Sequence, residues 1–169
     1  MDSLAERLGV SFRKKLFRSY SITKASAGGG SFYLLKPLTF MNNSGKAVRE
    51  ALRETGSSPA ELVVVCDTLD LPPGNCRFRL RGSSGGQKGL ESVIQALGTE
   101  EFMRLTVGIG RPSHKGKVIG HVLTPPGRDE AALMAEGVGK AVDAVLTLVQ
   151  HGPEKVMNTY NRKEPASQS

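Results

Sequence analysis

Apolar and polar positions along the chain alternate between helix-like and strand-like spacings. Leu4 and Leu8 stand four apart with charges between them and Gly9 follows, which predicts a short amphipathic helix over 2–8. From Leu16 to Lys24 the alternation is nearly two-fold; AGGGS then makes a turn, and FYLLK returns as a second strand, together a hairpin. Pro37 cannot sit inside a paired strand, so the chain leaves the sheet at KPLTFMNNSG. Ser44 is placed to cap the next helix, whose face carries Ala47, Val48, Ala51 and Leu52. ELVVVCD is a continuous apolar run bounded by SSP and LDLPPG, as expected of a strand covered on both faces. CRFRLR alternates basic and apolar positions, a strand with one wet, positive face. After GSSGGQKG comes a helix, LESVIQALG, stopped by Gly98, then a buried strand, RLTVGIG, a basic loop, RPSHKGK, and a long helix from Arg128 to Gln150 closed by Gly152 and Pro153. Strands and helices alternate, so the expected class is α/β: a single domain over residues 1–161 with a mixed, mostly parallel sheet flanked by helices. Residues 162–169, ending EPASQS, are expected to be a disordered tail.

Composition sharpens this picture. At 169 residues the chain is long enough for one sizeable core and short for two. Lys and Arg number 23 against 16 Asp and Glu, a formal charge of +7, which favours a polyanionic partner. Glycine, at 20 residues, exceeds the usual share of about 7%. The chain has no run of about 18 apolar residues and no secretory signal pattern at its start, so a soluble, cytoplasmic protein without a membrane association is expected. Cys66 and Cys76 lie ten apart with no second pair, which builds neither a disulfide framework nor a zinc knuckle. Cys66 reads as a reduced core residue.

Candidate chemistry gathers at strand ends and glycine loops. Ligands of open α/β sheets bind beyond the carboxyl ends of the strands, and Asp67 stands at such an end. It either caps the LDLPPG turn or holds an imidazole in one tautomer, the part a carboxylate plays beside a catalytic His. Gly82, Ser84 and Gly86 match G-x-S-x-G, but the strand before them is half charged and the helix starts several residues later, where a nucleophile elbow needs an abrupt turn. A flexible loop that lets an RNA backbone approach its amides, with Lys88 supplying charge, fits better. Gly110 and Gly116 are spaced one residue too far for a Walker A motif, and Lys117 is followed by Val; no G-x-G-x-x-G exists. The three histidines form no metal pair: His114 belongs with a phosphate-contacting patch, His121 reads as an ordinary half-buried residue, and His151 as a cation at a helix C-terminus. Basic residues recur in blocks: Arg13, Lys14, Lys15 and Arg18; Arg77, Arg79 and Arg81; Arg111, Lys115 and Lys117. Of these, Arg79, Arg81, Arg111, Lys115 and Lys117 are candidates for phosphate contact. Aromatic residues are few, so base stacking on a sheet is not the expected mode.

KPLTFMNNSGKAV, VVVCDTLDLPPGNCRFRLRGSSGGQKGL, FMRLTVGIGRP and MNTYN, in this order and spacing, resemble bacterial-type peptidyl-tRNA hydrolase over nearly the whole chain. The resemblance implies a monomeric α/β fold and hydrolysis of the ester joining a peptide to the 3′ end of tRNA, which recycles tRNA for translation, with no metal or cofactor. It also implies roles for single residues. Phe40 and Asn42 match the substrate-contacting pair, and Asp67 matches the carboxylate that orients the catalytic His. Asn42 otherwise reads as a turn residue ahead of Ser44. Two departures stand out. The family pattern opens with a buried strand, a GNPG loop and an RHN segment carrying the catalytic His, all ahead of the helix that begins here at Met1. The expectation is therefore the family domain without its first strand and catalytic His, with weak or absent catalysis; a noncatalytic RNA-binding relative is the alternative. The family's GHNG is here GQKG, so Gln87 and Lys88 take the places of a His and a substrate-binding Asn. Lys88 can donate to a phosphate or carbonyl but cannot accept a hydrogen bond.

Overall fold

The computed structural model describes residues 1–14, 17–111 and 128–161. Three segments build the first sheet. Helix α1 (Asp2–Arg7) leads into a two-residue strand β1 (Arg13–Lys14), and β2 (Tyr20–Ala27) and β3 (Gly30–Pro37) form the expected hairpin, all antiparallel in the order β1-β2-β3. The hairpin turn is Gly28–Gly29, both at positive φ, the geometry that two-residue turns of right-twisted strands require. Pro37 is the last residue of β3, opposite Tyr20, and the chain departs there as expected.

A second sheet has the order β4-β6-β5, from β4 (Val63–Thr68), β5 (Cys76–Arg79) and β6 (Met103–Gly108). Strand β4 runs parallel to β6, and β5 antiparallel. Both sheets belong to one α/β domain, and the sheet structure is mixed, but the expected parallel majority is corrected. Among the described residues only β4–β6 pairs in parallel, because the β2–β3 turn is too short for a crossover and β5 reaches β6 from the opposite direction.

Helices cover both faces. Val63, Val65, Phe78 and Leu105 pack against α4 (Arg128–His151) and α5 (Pro153–Tyr160). Val64 and Cys66 face the other way, into a cluster with α2 (Ser44–Thr55) and α3 (Lys88–Leu97) built on Val48, Leu90, Val93 and Phe102. The continuous apolar run of β4 is thus explained by cover on both sides, as its sequence predicts. Leu35 of β3 touches the α2–α3 cluster and Val142 of α4 joins Leu4, Ala25 and Leu34, so helices tie the two sheets together.

Three local expectations change. Ser44 does not cap α2. A 3₁₀ turn over Met41–Asn43 delivers the chain so that Ser44 is already helical, and Gly45 N–H donates to Ser92 Oγ at 2.9 Å instead. The hairpin strand begins at Tyr20, not Leu16. Pro153 stops nothing; it is the first residue of α5, where its missing N–H costs no helical hydrogen bond. Asn161, just past α5, pins that helix to the sheet: its Nδ2 donates to Phe78 O at 2.8 Å and its Oδ1 accepts from Phe78 N at 2.9 Å, as a neighbouring strand would. The expected tail, 162–169, lies outside the described residues.

Candidate active site

Asp67 is the fifth residue of β4, half-buried at the strand's carboxyl end, in register with Val107. The segment after it folds back across the end of β6. Ile109 N–H donates to Thr68 O at 3.0 Å, Gly110 N–H to Leu71 O at 2.9 Å, and Gly108 N–H to Asn75 O at 2.8 Å. Only glycine permits this closeness at position 108, because a Cβ there would overlap the carbonyls of Leu71 and Pro72. The LDLPPGN turn is therefore a clamp on two strand ends, and it holds the backbone on the carboxyl side of Asp67.

One side chain meets the Asp67 carboxylate among the described residues. Gln87 Nε2 donates to Asp67 Oδ1 at 3.0 Å, while Gln87 Oε1 accepts the Leu90 N–H at 2.7 Å and so caps α3. The loop before it reaches this position through Gly85 and Gly86, both at positive φ. Ser84 O accepts from Gln87 N–H at 3.0 Å and Ser84 Oγ from Gly86 N–H at 3.3 Å, a local turn; its hydroxyl meets no base among the described residues. The G-x-S-x-G match is a turn and not an elbow, in agreement with the spacing argument.

The Phe40–Asn42 segment sits against the start of α3. A Cβ on Gly89 would come within 2.7 Å of Met41 Sδ and 2.9 Å of Gln87 Oε1, so the bare α-carbon at 89 is what lets the turn and the cap close on each other. Phe40 is 88% exposed, a large apolar surface left in water, and Asn42 is exposed, its side chain making no hydrogen bond among the described residues. Lys88, the first residue of α3, is exposed and paired with Glu91 at 3.2 Å. The expected residues Asp67, Phe40, Asn42 and Lys88 are thereby connected through Gln87, Met41 and Gly89.

The basic candidates separate. Arg77 and Arg79 share one face of β5, opposite Thr106 and Arg104, and Arg79 is exposed. Arg81 lies beyond the strand, paired with Glu101 at 3.4 Å, and Arg111 is paired with Asp70. Lys115 and Lys117, with His114 and His121, lie outside the described residues. Among the described residues no three His, Cys, Asp or Glu side chains gather as metal ligands, and no helix is long and apolar enough to cross a membrane. Burial, and then the Asp67 charge, push the Cys66 thiol up to about 12, which disfavours its thiolate.

One residue escaped the sequence analysis, and so did the contact made by another. Arg104 is 2% exposed; its Nη1 donates to Ser83 O at 2.6 Å, its Nη2 to Glu100 O at 3.2 Å, and its guanidinium lies 4.6 Å from the Phe102 ring centre. Burial lowers its pKa, and it holds the glycine loop that carries Gln87. A lone charge inside the apolar run FMRLTVG is the signal that marks it. Gln87, singled out for its place in GQKG, is not expected from the sequence to bond Asp67 and cap α3; its signal is an amide immediately before a helical pattern.

The sequence matches the family model for peptidyl-tRNA hydrolase over residues 1–168. The chain belongs to the peptidyl-tRNA hydrolase family. It is 44% identical to the peptidyl-tRNA hydrolase of Aquifex aeolicus over 143 residues, covering 85% of this chain and 74% of that protein. The peptidyl-tRNA hydrolase of Symbiobacterium thermophilum is 43% identical over 162 residues, 95% and 86% of the two chains. Among solved structures, peptidyl-tRNA hydrolase from Acinetobacter baumannii superimposes with a TM-score of 0.89 at 31% identity, covering 98% of this chain and 84% of that one. The peptidyl-tRNA hydrolase motifs thus acquire physical content here. DxLDLPPG is the clamp behind Asp67, the first glycine of VGIG is the close contact under it, and TFMN is the turn laid on the α3 cap.

Proposed function

We propose that this chain hydrolyses the ester between a peptide and the 3′ end of tRNA. The observation that carries the reading is the contact chain from Asp67 through Gln87 to the exposed turn of Phe40, Met41 and Asn42 at the carboxyl end of β4. Water attacks the ester carbonyl; the new C–O bond forms as the bond to the ribose oxygen breaks, and the departing hydroxyl takes the proton. The Asn42 amide both donates and accepts, so it can hold the peptide group or the attacking water. Phe40 offers an apolar surface to the 3′ end, and Lys88 with Arg79 supplies positive charge to phosphates. The family resemblance implies an imidazole as the base, and a carboxylate placed like Asp67 can orient one. Gln87, the side chain that meets Asp67 among the described residues, is an amide and takes up no proton. In this reading the protein acts as a cytoplasmic monomer that binds tRNA and rescues ribosomes by returning stalled tRNA to translation.

The test is release of an N-blocked aminoacyl group from tRNA. Cleavage above the spontaneous rate, lowered by Asp67→Asn and by Asn42→Ala, is expected. Salt-sensitive tRNA binding with no cleavage under any condition, added imidazole included, would instead leave a noncatalytic binding protein.

A further inference from the structure

Gln87 does two jobs with the two ends of one rigid group. Its carbonyl oxygen is anchored by the first turn of α3, through Leu90 N–H at 2.7 Å, and its nitrogen donates to Asp67 Oδ1 at 3.0 Å. An amide holds its oxygen and nitrogen in one plane at fixed separation, so anchoring the oxygen to a helix aims the nitrogen. The approach is guarded on the far side by Gly89, which lets Met41 lie against the same cap, and the loop that delivers Gln87 is tied down by buried Arg104 at Ser83 O. Asp67 Oδ2, in contrast, takes no hydrogen bond among the described residues.

We propose that Gln87 is the positioning residue of Asp67: it converts the N-terminus of α3 into a fixed brace for one carboxylate oxygen and leaves the other to face the reacting group. The inference rests on the ester-hydrolysis reading for its consequence and on geometry alone for the brace. A non-titrating amide keeps this brace at every pH at which the protein folds, which a histidine at the same place does not. A carboxylate with one oxygen fixed can rotate only by breaking that bond, so its other oxygen is held ready for an imidazole.

Two measurements test it. The first uses the side-chain amide resonances of Gln87 in ¹⁵N-labelled protein. They are expected away from the position of a solvated glutamine and to move when Asp67→Ala removes the acceptor; resonances at the solvated position that ignore Asp67→Ala overturn the brace, whatever the activity. The second separates capping from positioning. Gln87→Ser keeps an N-cap oxygen but is too short to reach Asp67, so the melting temperature is expected to stay near that of the parent while kcat falls about tenfold or more at unchanged KM. In the Asp67→Asn background the same change is expected to cost nothing further, because the two residues act as a unit. A Gln87→Ser protein with full kcat overturns the proposal. If the parent shows no hydrolysis at all, the ester reading has failed, and the resonance measurement still decides whether Gln87 braces Asp67.

Discussion

Tyr20 is fully buried, yet it carries a hydroxyl, and that hydroxyl donates to Glu54, which also pairs with Arg18 at 3.2 Å. Burial, and then the bond to Glu54, push the phenol up to about 12. The folded state thus keeps this proton to higher pH than the unfolded chain, whose phenol titrates near its ordinary value of about 10. The stabilisation is present in full below that value and is lost as pH rises through 12. Urea unfolding of the parent and of Tyr20→Phe is expected to give a constant stability difference up to about pH 10 that shrinks between there and 12; a difference that grows over this interval contradicts the assignment. Residues differ in how far sequence discloses them. Asp67 is legible because the apolar run ELVVVCD ends on it, and strand ends are where α/β chemistry sits. Gln87 is not, since its partner lies twenty positions away and neither amide nor carboxylate announces the other. Arg104 shows only as a charge in an apolar run, and its task, two backbone carbonyls, is invisible until the loop is folded.

At the scale of elements, glycine decides how closely pieces approach. Gly45 stands in α2 where a Cβ would overlap the carbonyl of Ser92 in α3 and come within 2.7 Å of Ala96 Cβ. Gly139, in the exposed face of α4, meets nothing within 4 Å. The same substitution therefore takes opposite signs. Gly139→Ala is expected to stabilise by about 0.5–1 kcal/mol through lost chain entropy, and Gly45→Ala to destabilise by about 1–3 kcal/mol by forcing α2 from α3. Thermal melts of the two variants check this; equal shifts would mean that the α2–α3 contact yields freely. Most elements follow from pattern because their apolar spacing is unambiguous: α3, β4 and β6 lie where the sequence puts them. The exceptions have one cause. Pro153 and Ser44 carry signals that serve a helix start and a helix stop or cap alike, and tertiary placement chooses between them. Strand direction fails for a related reason, since apolar runs carry no polarity and β5 is antiparallel to β6 only because of the path between them.

Across the whole molecule, a net charge of +7 gives an attraction to a polyanion that is felt before any specific contact. Its distribution is uneven in effect. Arg79 is exposed on β5, whereas Arg81 and Arg111 are committed to Glu101 and Asp70. Affinity for tRNA is expected to fall steeply with salt, and Arg79→Ala to flatten that dependence by about one unit of log–log slope, more than Arg81→Ala does. Equal slopes for all three proteins would remove Arg79 from the interface. The central claim is the proposal that Asp67 and the turn on the α3 cap belong to an ester-hydrolysing site. Its most direct measurement is the release of an N-blocked aminoacyl group from tRNA by residues 1–169, with and without added imidazole, in the parent and in Asp67→Asn. The account predicts cleavage above the spontaneous rate in the parent and much less in Asp67→Asn, whether or not imidazole is added. Cleavage that is indifferent to Asp67, or a bound tRNA whose ester survives at every imidazole concentration, would contradict it.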